Sequence, residues 1–230
     1  MTTPSAPLKV RPRIALVVEG HGEVHAVPRL LHRTLKHFNF DRHFEVVHDH
    51  GQGAVRAPGC GSIMAAHDPG AERGIEYWVN LAARVHRAHG VLVLVDADTH
   101  CPKTEGPALL KRAVAVRGDL CIGVVLASRE YEAWILAGWT ALRERGLLRA
   151  SAKRVPQAML EGLRDPKGKL CAMLEAGYSE TKDQPVLTDH IPLTSAKSKV
   201  RSLRKWLDSV RDLCHCLRQR ARGHSRDVKP

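Results

Sequence analysis

An α/β fold built on a mainly parallel sheet flanked by helices follows from three apolar runs, at residues 14–18 (IALVV), 91–95 (VLVLV) and 121–126 (CIGVVL). Each run is rich in β-branched residues and is followed by a helical pattern. A strand that is apolar at every position is buried on both faces, as in a parallel sheet covered by helices. Strands alternating with helices give the same answer.

The elements follow in order. Residues 1–12 form a short polar leader, with no apolar stretch to act as a secretory signal. The first strand, 14–18, runs into Glu19-Gly20-His21-Gly22-Glu23. The glycines permit a tight turn, and a helix follows with Val24, Val27, Leu30, Leu31 and Leu35 on one face. Pro28 falls near its first turn, where proline does least harm. Residues 44–47 read as a second strand. Residues 49–70, rich in Gly and Pro, read as one long loop, and loops of that length are often functional. Residues 72–88 are helical, with Ile75, Trp78, Val79, Ala82 and Val85 turned inward.

The strand 91–95 stops at Asp96-Ala97-Asp98, and residues 104–116 are helical. After the strand 121–126, Ser128 is the natural N-cap of a helix reaching Ala137. Strand signals then fade. Residues 13–138 make the α/β domain and 139–218 a helical C-terminal extension, with helices at 166–176 and 199–217. Residues 219–230 form a basic tail. No internal repeat is evident.

The formal net charge is +12 and the sequence pI about 9.8. Such an excess favours a polyanionic partner. It is concentrated late: residues 197–229 hold eleven Lys or Arg against three Asp. Lys167, Lys169, Lys197, Lys199, Arg201, Arg204 and Lys205 are candidates to line a groove for a nucleic-acid backbone; a solvated basic face is the competing reading. Aromatic residues are scarce, which argues against recognition by base stacking. No apolar run approaches the roughly 20 residues needed to span a bilayer. A cytoplasmic location is expected, and with it reduced, mostly buried cysteines. Cys214 and Cys216 flank His215, but no second half completes a zinc site.

Carboxylates stand where the strands end. Ligands of an open parallel sheet bind beyond the carboxyl ends of its strands. Here Glu19 and Glu23 follow the first strand, Asp96 and Asp98 a central one, and Glu130 the next. Any one pair alone reads better as solubility or capping than as function. Three such sites in order point to Mg²⁺ or Mn²⁺, which prefer carboxylate oxygens. The N–H groups of the first turn would be free for a phosphate. His21 is placed to contact phosphate or shuttle a proton. His21 and His25 do not make an HExxH motif. His48 and His50, flanking Asp49, read as surface, and the part that the loop through His67 plays in lining the site stays open. Gly51-Gln52-Gly53 and Gly59-Cys60-Gly61 are weak phosphate-loop signals, and there is no P-loop. Trp78 and Trp134 read as core, and Trp206 is undecided.

The residues Glu19-Gly20-His21-Gly22-Glu23, Asp96-Ala97-Asp98 and Ser128-Arg129-Glu130 resemble the E-G-x-x-E, D-x-D and S-x-E elements of the TOPRIM fold of topoisomerases, primases and OLD-type nucleases. The chain more closely resembles the TOPRIM-like bacterial domain-of-unknown-function family 4276 over roughly residues 13–210. There the third element reads E-x-E-x-W, here Glu130-Tyr131-Glu132-Ala133-Trp134, followed by Pro166-Lys167 and by Tyr178-Ser179-Glu180-Thr181. The resemblance implies a TOPRIM-like, Rossmann-like fold. It implies magnesium-dependent cleavage of phosphodiesters, with Glu19, Glu23, Asp96, Asp98 and Glu130 as ligands and Glu23 or Glu19 as general base. It also implies bacterial defence beside a separate ATPase subunit. DNA or RNA is the expected partner, and self-association stays open. The competing expectations are a non-catalytic subunit that binds nucleic acid or an ATPase, and a phosphohydrolase of a small phosphorylated molecule.

Overall fold

The computed structural model describes residues 11–47, 54–66, 68, 70–194 and 200–224. The leader up to residue 10, His48, Asp49, His50, residues 51–53, His67, Lys197, Lys199 and the tail from residue 225 lie outside them. Arg13–Val18 is β1, Glu23–His37 α1, Glu45–Val46 β2, Val55–Arg56 β3, Cys60–Met64 α2, Ile75–His86 α3, Gly90–Asp96 β4, Pro102–Val116 α4 and Cys121–Ala127 β5. Then come α5 (Glu132–Ala137), α6 (Trp139–Glu144), a 3-10 turn (Gln157–Gly162), α7 (Pro166–Met173), α8 (Asp183–Thr188) and α9 (Arg201–His224).

The sheet is parallel, in the order β2-β1-β4-β5. β2 pairs with Arg13 and Ile14, and β3 with Val17 and Val18, so two short strands share one edge of β1 end to end. Side chains alternate between the two faces. Ile14, Leu16 and Val18 join a core under α1, α5 and α9 that includes Trp134 and Trp206. Ala15 and Val17 join a second core under α2, α3 and α4. Both expected tryptophans are core, and Trp206 is buried with them. The indole N–H of Trp134 donates to Ser202 Oγ and that of Trp206 to Thr34 Oγ1, so neither burial leaves a donor unpaired.

Several expectations are corrected. The stretch read as one loop contains β3 and α2. Two paired residues and a five-residue helix are too short to show a period, yet Ala54, Ala57, Cys60 and Ile63 are buried. Val85 is 50% exposed. The inward stripe of α3 drifts as a 3.6-residue repeat must, from Val79 through Ala82 and Ala83 to His86. Ser128 does not cap α5: its hydroxyl donates to the Glu161 carbonyl, and α5 begins at Glu132.

The cysteines also depart from expectation. Cys121 of β5 and Cys216 of α9 are disulfide-bonded. Cys216 is therefore no zinc ligand, and Cys101 and Cys171 are exposed. Helix α9 lies across the sheet rather than beside it. A Cβ on Gly90 of β4 would meet Leu213 and Leu217 of α9 at 3.3 Å each. The late basic helix thus supplies one wall of the core. Among the described residues no helix is long and apolar enough to cross a membrane.

Candidate functional site

The site is built first from the turn between β1 and α1. Glu23 is buried and folds back so that its Oε2 accepts from the N–H groups of Glu19 and Gly20, at 3.1 Å each. The N–H groups that lead into the turn therefore hold a carboxylate of the chain itself. Gly22 has φ −71°, open to any residue. Its glycine is needed for a different reason: a Cβ would stand 2.3 Å from the Glu180 carbonyl and 2.4 Å from Gln184 Oε1. The segment before α8 packs directly on this turn.

Glu19 Oε2 accepts from the N–H of Asp96, at 3.2 Å, which joins the ends of β1 and β4. Asp96 Oδ1 accepts from the N–H of Tyr131, at 2.8 Å, which joins β4 to the start of α5. Glu132 Oε1 accepts from Tyr178 Oη at 2.9 Å and from Gln184 Nε2 at 3.3 Å. Glu19, Glu23, Asp96 and Glu132 thus line one cavity of about 270 Å³, with Arg56, Lys167, Glu180 and Gln184 completing the wall.

Counting Glu180, which pairs with Lys167, five carboxylates line the cavity, and so many in one place resist ionising together. Burial pushes Glu23 up to about 7, and Glu19 and Glu132 push in the same direction. Asp96 keeps a window to the cavity, yet burial of its carboxylate, then Glu23, Glu132 and Glu19, raises it well above the ordinary range. Burial raises Glu19 and Glu132 as well. Burial and Glu132 raise Tyr178, which keeps it a hydrogen-bond donor. Burial lowers the Lys167 ammonium, but Glu180, Glu132 and Glu130 together prevail and raise it.

The donor set is all oxygen, which suits a hard divalent cation. Gln184 Oε1 adds a buried acceptor with no hydrogen-bond partner. By donor type alone, the residues present suit Mg²⁺ or Mn²⁺. Among the described residues, no three His, Cys, Asp or Glu are drawn tightly around one point.

The sequence of residues 18–211 matches the family described as Domain of unknown function (DUF4276). The chain belongs to this family. No curated protein and no solved structure matches it.

In this DUF4276 chain the residues expected at the site are sorted by their elements. Glu19, Glu23 and Asp96 meet in the cavity. Asp98 does not line it: it is exposed just past β4, with φ 48°, opposite Arg129 with φ 66°. The two left-handed residues are locked together by Asp98 N–H to the Arg129 carbonyl and by Arg129 Nη1 to the Asp98 carbonyl. Such strain persists only where surrounding structure imposes it. Glu130 accepts from the Lys167 N–H at 3.0 Å, and Glu132 takes the place in the cavity.

Among the basic candidates, Lys167 reaches the cavity and pairs with Glu180 at 2.8 Å. Asp165 caps its helix through the Gly168 N–H, with Pro166 as the first helical residue. His21 is exposed and lines an outer groove that shares Lys167 and Glu180 with the cavity. Lys169 and Arg204 are exposed, and Arg201 pairs with Glu161. Arg201 and Lys205 border a different cavity.

Sequence reasoning missed Arg56, Glu180 and Gln184 as wall residues, and Tyr178 as the hydroxyl that holds Glu132. Tyr178 and Glu180 lie in the Y-x-x-T segment that the family resemblance marks. For Arg56, on a two-residue strand, no signal existed.

Proposed function

We propose that the protein is a magnesium-dependent TOPRIM-like nuclease, with Mn²⁺ as the alternative ion. The observation that carries this reading is the gathering of Glu19, Glu23, Asp96 and Glu132 in one cavity at strand ends, walled by Arg56 and Lys167. Glu19, Asp96 and Glu132 are the residues that would hold the ion. When bound, it would supply Lewis-acid polarisation of a phosphoryl oxygen.

The chain's own groups divide the remaining work. Lys167 and Arg56 offer positive charge to a phosphodiester against the floor of carboxylates. Glu23, pushed up to about 7, is suited to take a proton from an attacking water near neutral pH. Tyr178 and Gln184 fix Glu132 through two hydrogen bonds. The net charge of +12 favours a polyanionic substrate. One observation favours a second reading: a cavity of about 270 Å³ fits the phosphate of a small molecule as readily as that of a chain.

The test is incubation with labelled DNA, RNA and small phosphate esters in Mg²⁺, Mn²⁺ or EDTA, beside Asp96→Asn. Cutting of a polymer that needs the metal and is lost in the variant is expected. Cutting in EDTA, or cutting that survives Asp96→Asn, overturns the mechanism. Hydrolysis of the small esters alone selects the second reading.

A further inference from the structure

A second cavity, of about 530 Å³, opens between α4, the outer edge of β5 and the start of α9. It shares no residue with the carboxylate cavity. Its floor is apolar, from Val124 and Leu126 of β5. Its volume falls within the range of small-molecule sites.

The wall contributed by α4 breaks the rules of helix composition. Gly106 and Pro107 stand inside this 15-residue helix, and both line the cavity. Glycine weakens a helix interior through backbone entropy, and proline removes an N–H donor. Gly106 has no packing need to be glycine: the nearest atom to a Cβ placed there is Leu126 Cδ1, at 3.8 Å. Its backbone is helical as well. The helix gives up stability there, and what it keeps in return is open space. Places where a sequence breaks a local rule are often functional.

The rim is cationic. Lys103 and Lys205 are exposed on opposite walls, from α4 and α9. Neither has an anionic partner among the described residues. Arg201 is already held by Glu161 at 2.8 Å. An apolar floor beneath two uncommitted ammonium groups calls for a ligand with an apolar body and an anionic head. Polar groups able to read the edge of a nucleobase are few. Of the two hydroxyls, Ser128 is committed to the Glu161 carbonyl and Ser202 accepts from Trp134.

We propose that this cavity is a binding site for a small amphipathic anion, an apolar body carrying one carboxylate or phosphate between Lys103 and Lys205. The site is separate from the proposed nuclease centre and does not depend on that reading.

The test uses the fluorescent anion 1-anilinonaphthalene-8-sulfonate on the intact protein, with decanoate, decyl phosphate and decanol as competitors. Saturable binding, displaced by the two anions and at least ten times less well by decanol, is expected. The stronger of the two anions assigns the head group. Gly106→Leu fills the cavity and improves the helix. It should weaken probe binding at least tenfold while leaving the melting temperature unchanged or higher. Lys103→Gln with Lys205→Gln alters only exposed side chains. It should erase the preference for anions over decanol, whatever becomes of the glycine variant. The proposal is overturned by probe binding that is undiminished in a folded Gly106→Leu variant, by equal displacement with decanol, or by an anion preference that survives loss of both lysines.

Discussion

Glu132 shows how a single residue serves the site at the expense of the fold. Its carboxylate is buried beside Glu23 and Asp96 and is held by Tyr178 and Gln184. Glu132→Gln keeps the shape and removes one of the cavity's repelling charges. The variant should lose at least about a hundredfold in turnover, on the scale of removing one preorganised charged group. It should melt above the parent when metal is absent. Turnover and melting in EDTA, measured on the same preparation, check both halves. A variant that is less stable and still active would mean that Glu132 is structural. Gly22 makes the complementary case. Gly22→Ala drives a methyl into the Glu180 carbonyl and Gln184 Oε1. It should cost about 1–3 kcal/mol, as overpacking does, and should weaken activity through the displaced Tyr178–Gln184 wall. Chemical denaturation and turnover measure these effects.

At the scale of elements, the disulfide ties the last helix to the last strand. Cys121 and Cys216 are 95 residues apart in the chain, and closing a loop of that length stabilises by roughly 4.7 kcal/mol on the chain-entropy account. Cys216→Ser should lower the denaturant midpoint accordingly and make it insensitive to reductant. Thiol titration in denaturant should find four free groups in the parent; six would show that the bridge is not formed. The same scale shows what a sequence can disclose. β1, β4 and β5 were legible because full burial removes every polar residue from a strand. Their ends were legible because Glu19 and Asp96 break off an apolar run. β3 was not legible, since two residues carry no period, and Arg56 went unseen with it. Glu132 lies two residues past the residue expected at the site, Glu130. Which of two acids two residues apart turns inward is set by where α5 starts, and Ser128 pointed to the wrong start. The disulfide was hidden because a buried cysteine and a bonded one occupy the same apolar pattern.

At the scale of the whole molecule, a chain with a net charge of +12 encloses a well of five carboxylates. Its stability should therefore depend on pH and metal together. Glu23 has a folded value of about 7 against an ordinary 4.5. In that window the folded state holds a proton that the unfolded state has released. Stability contributed by the protonated form is complete below 4.5 and is lost as pH rises through about 7. The loss is on the order of 3 kcal/mol at 1.36 kcal/mol per unit, and it belongs to the coupled carboxylates rather than to Glu23 alone. A bound divalent cation favours the ionised carboxylates and offsets the slope. Melting in EDTA should fall across this window. Melting in Mg²⁺ should hold level, and the gap between the two curves should widen with pH. Glu23→Gln should flatten the EDTA curve. Parallel curves in EDTA and Mg²⁺ would show that the well does not take the ion, and would remove the metal from the proposed mechanism while leaving the described fold intact.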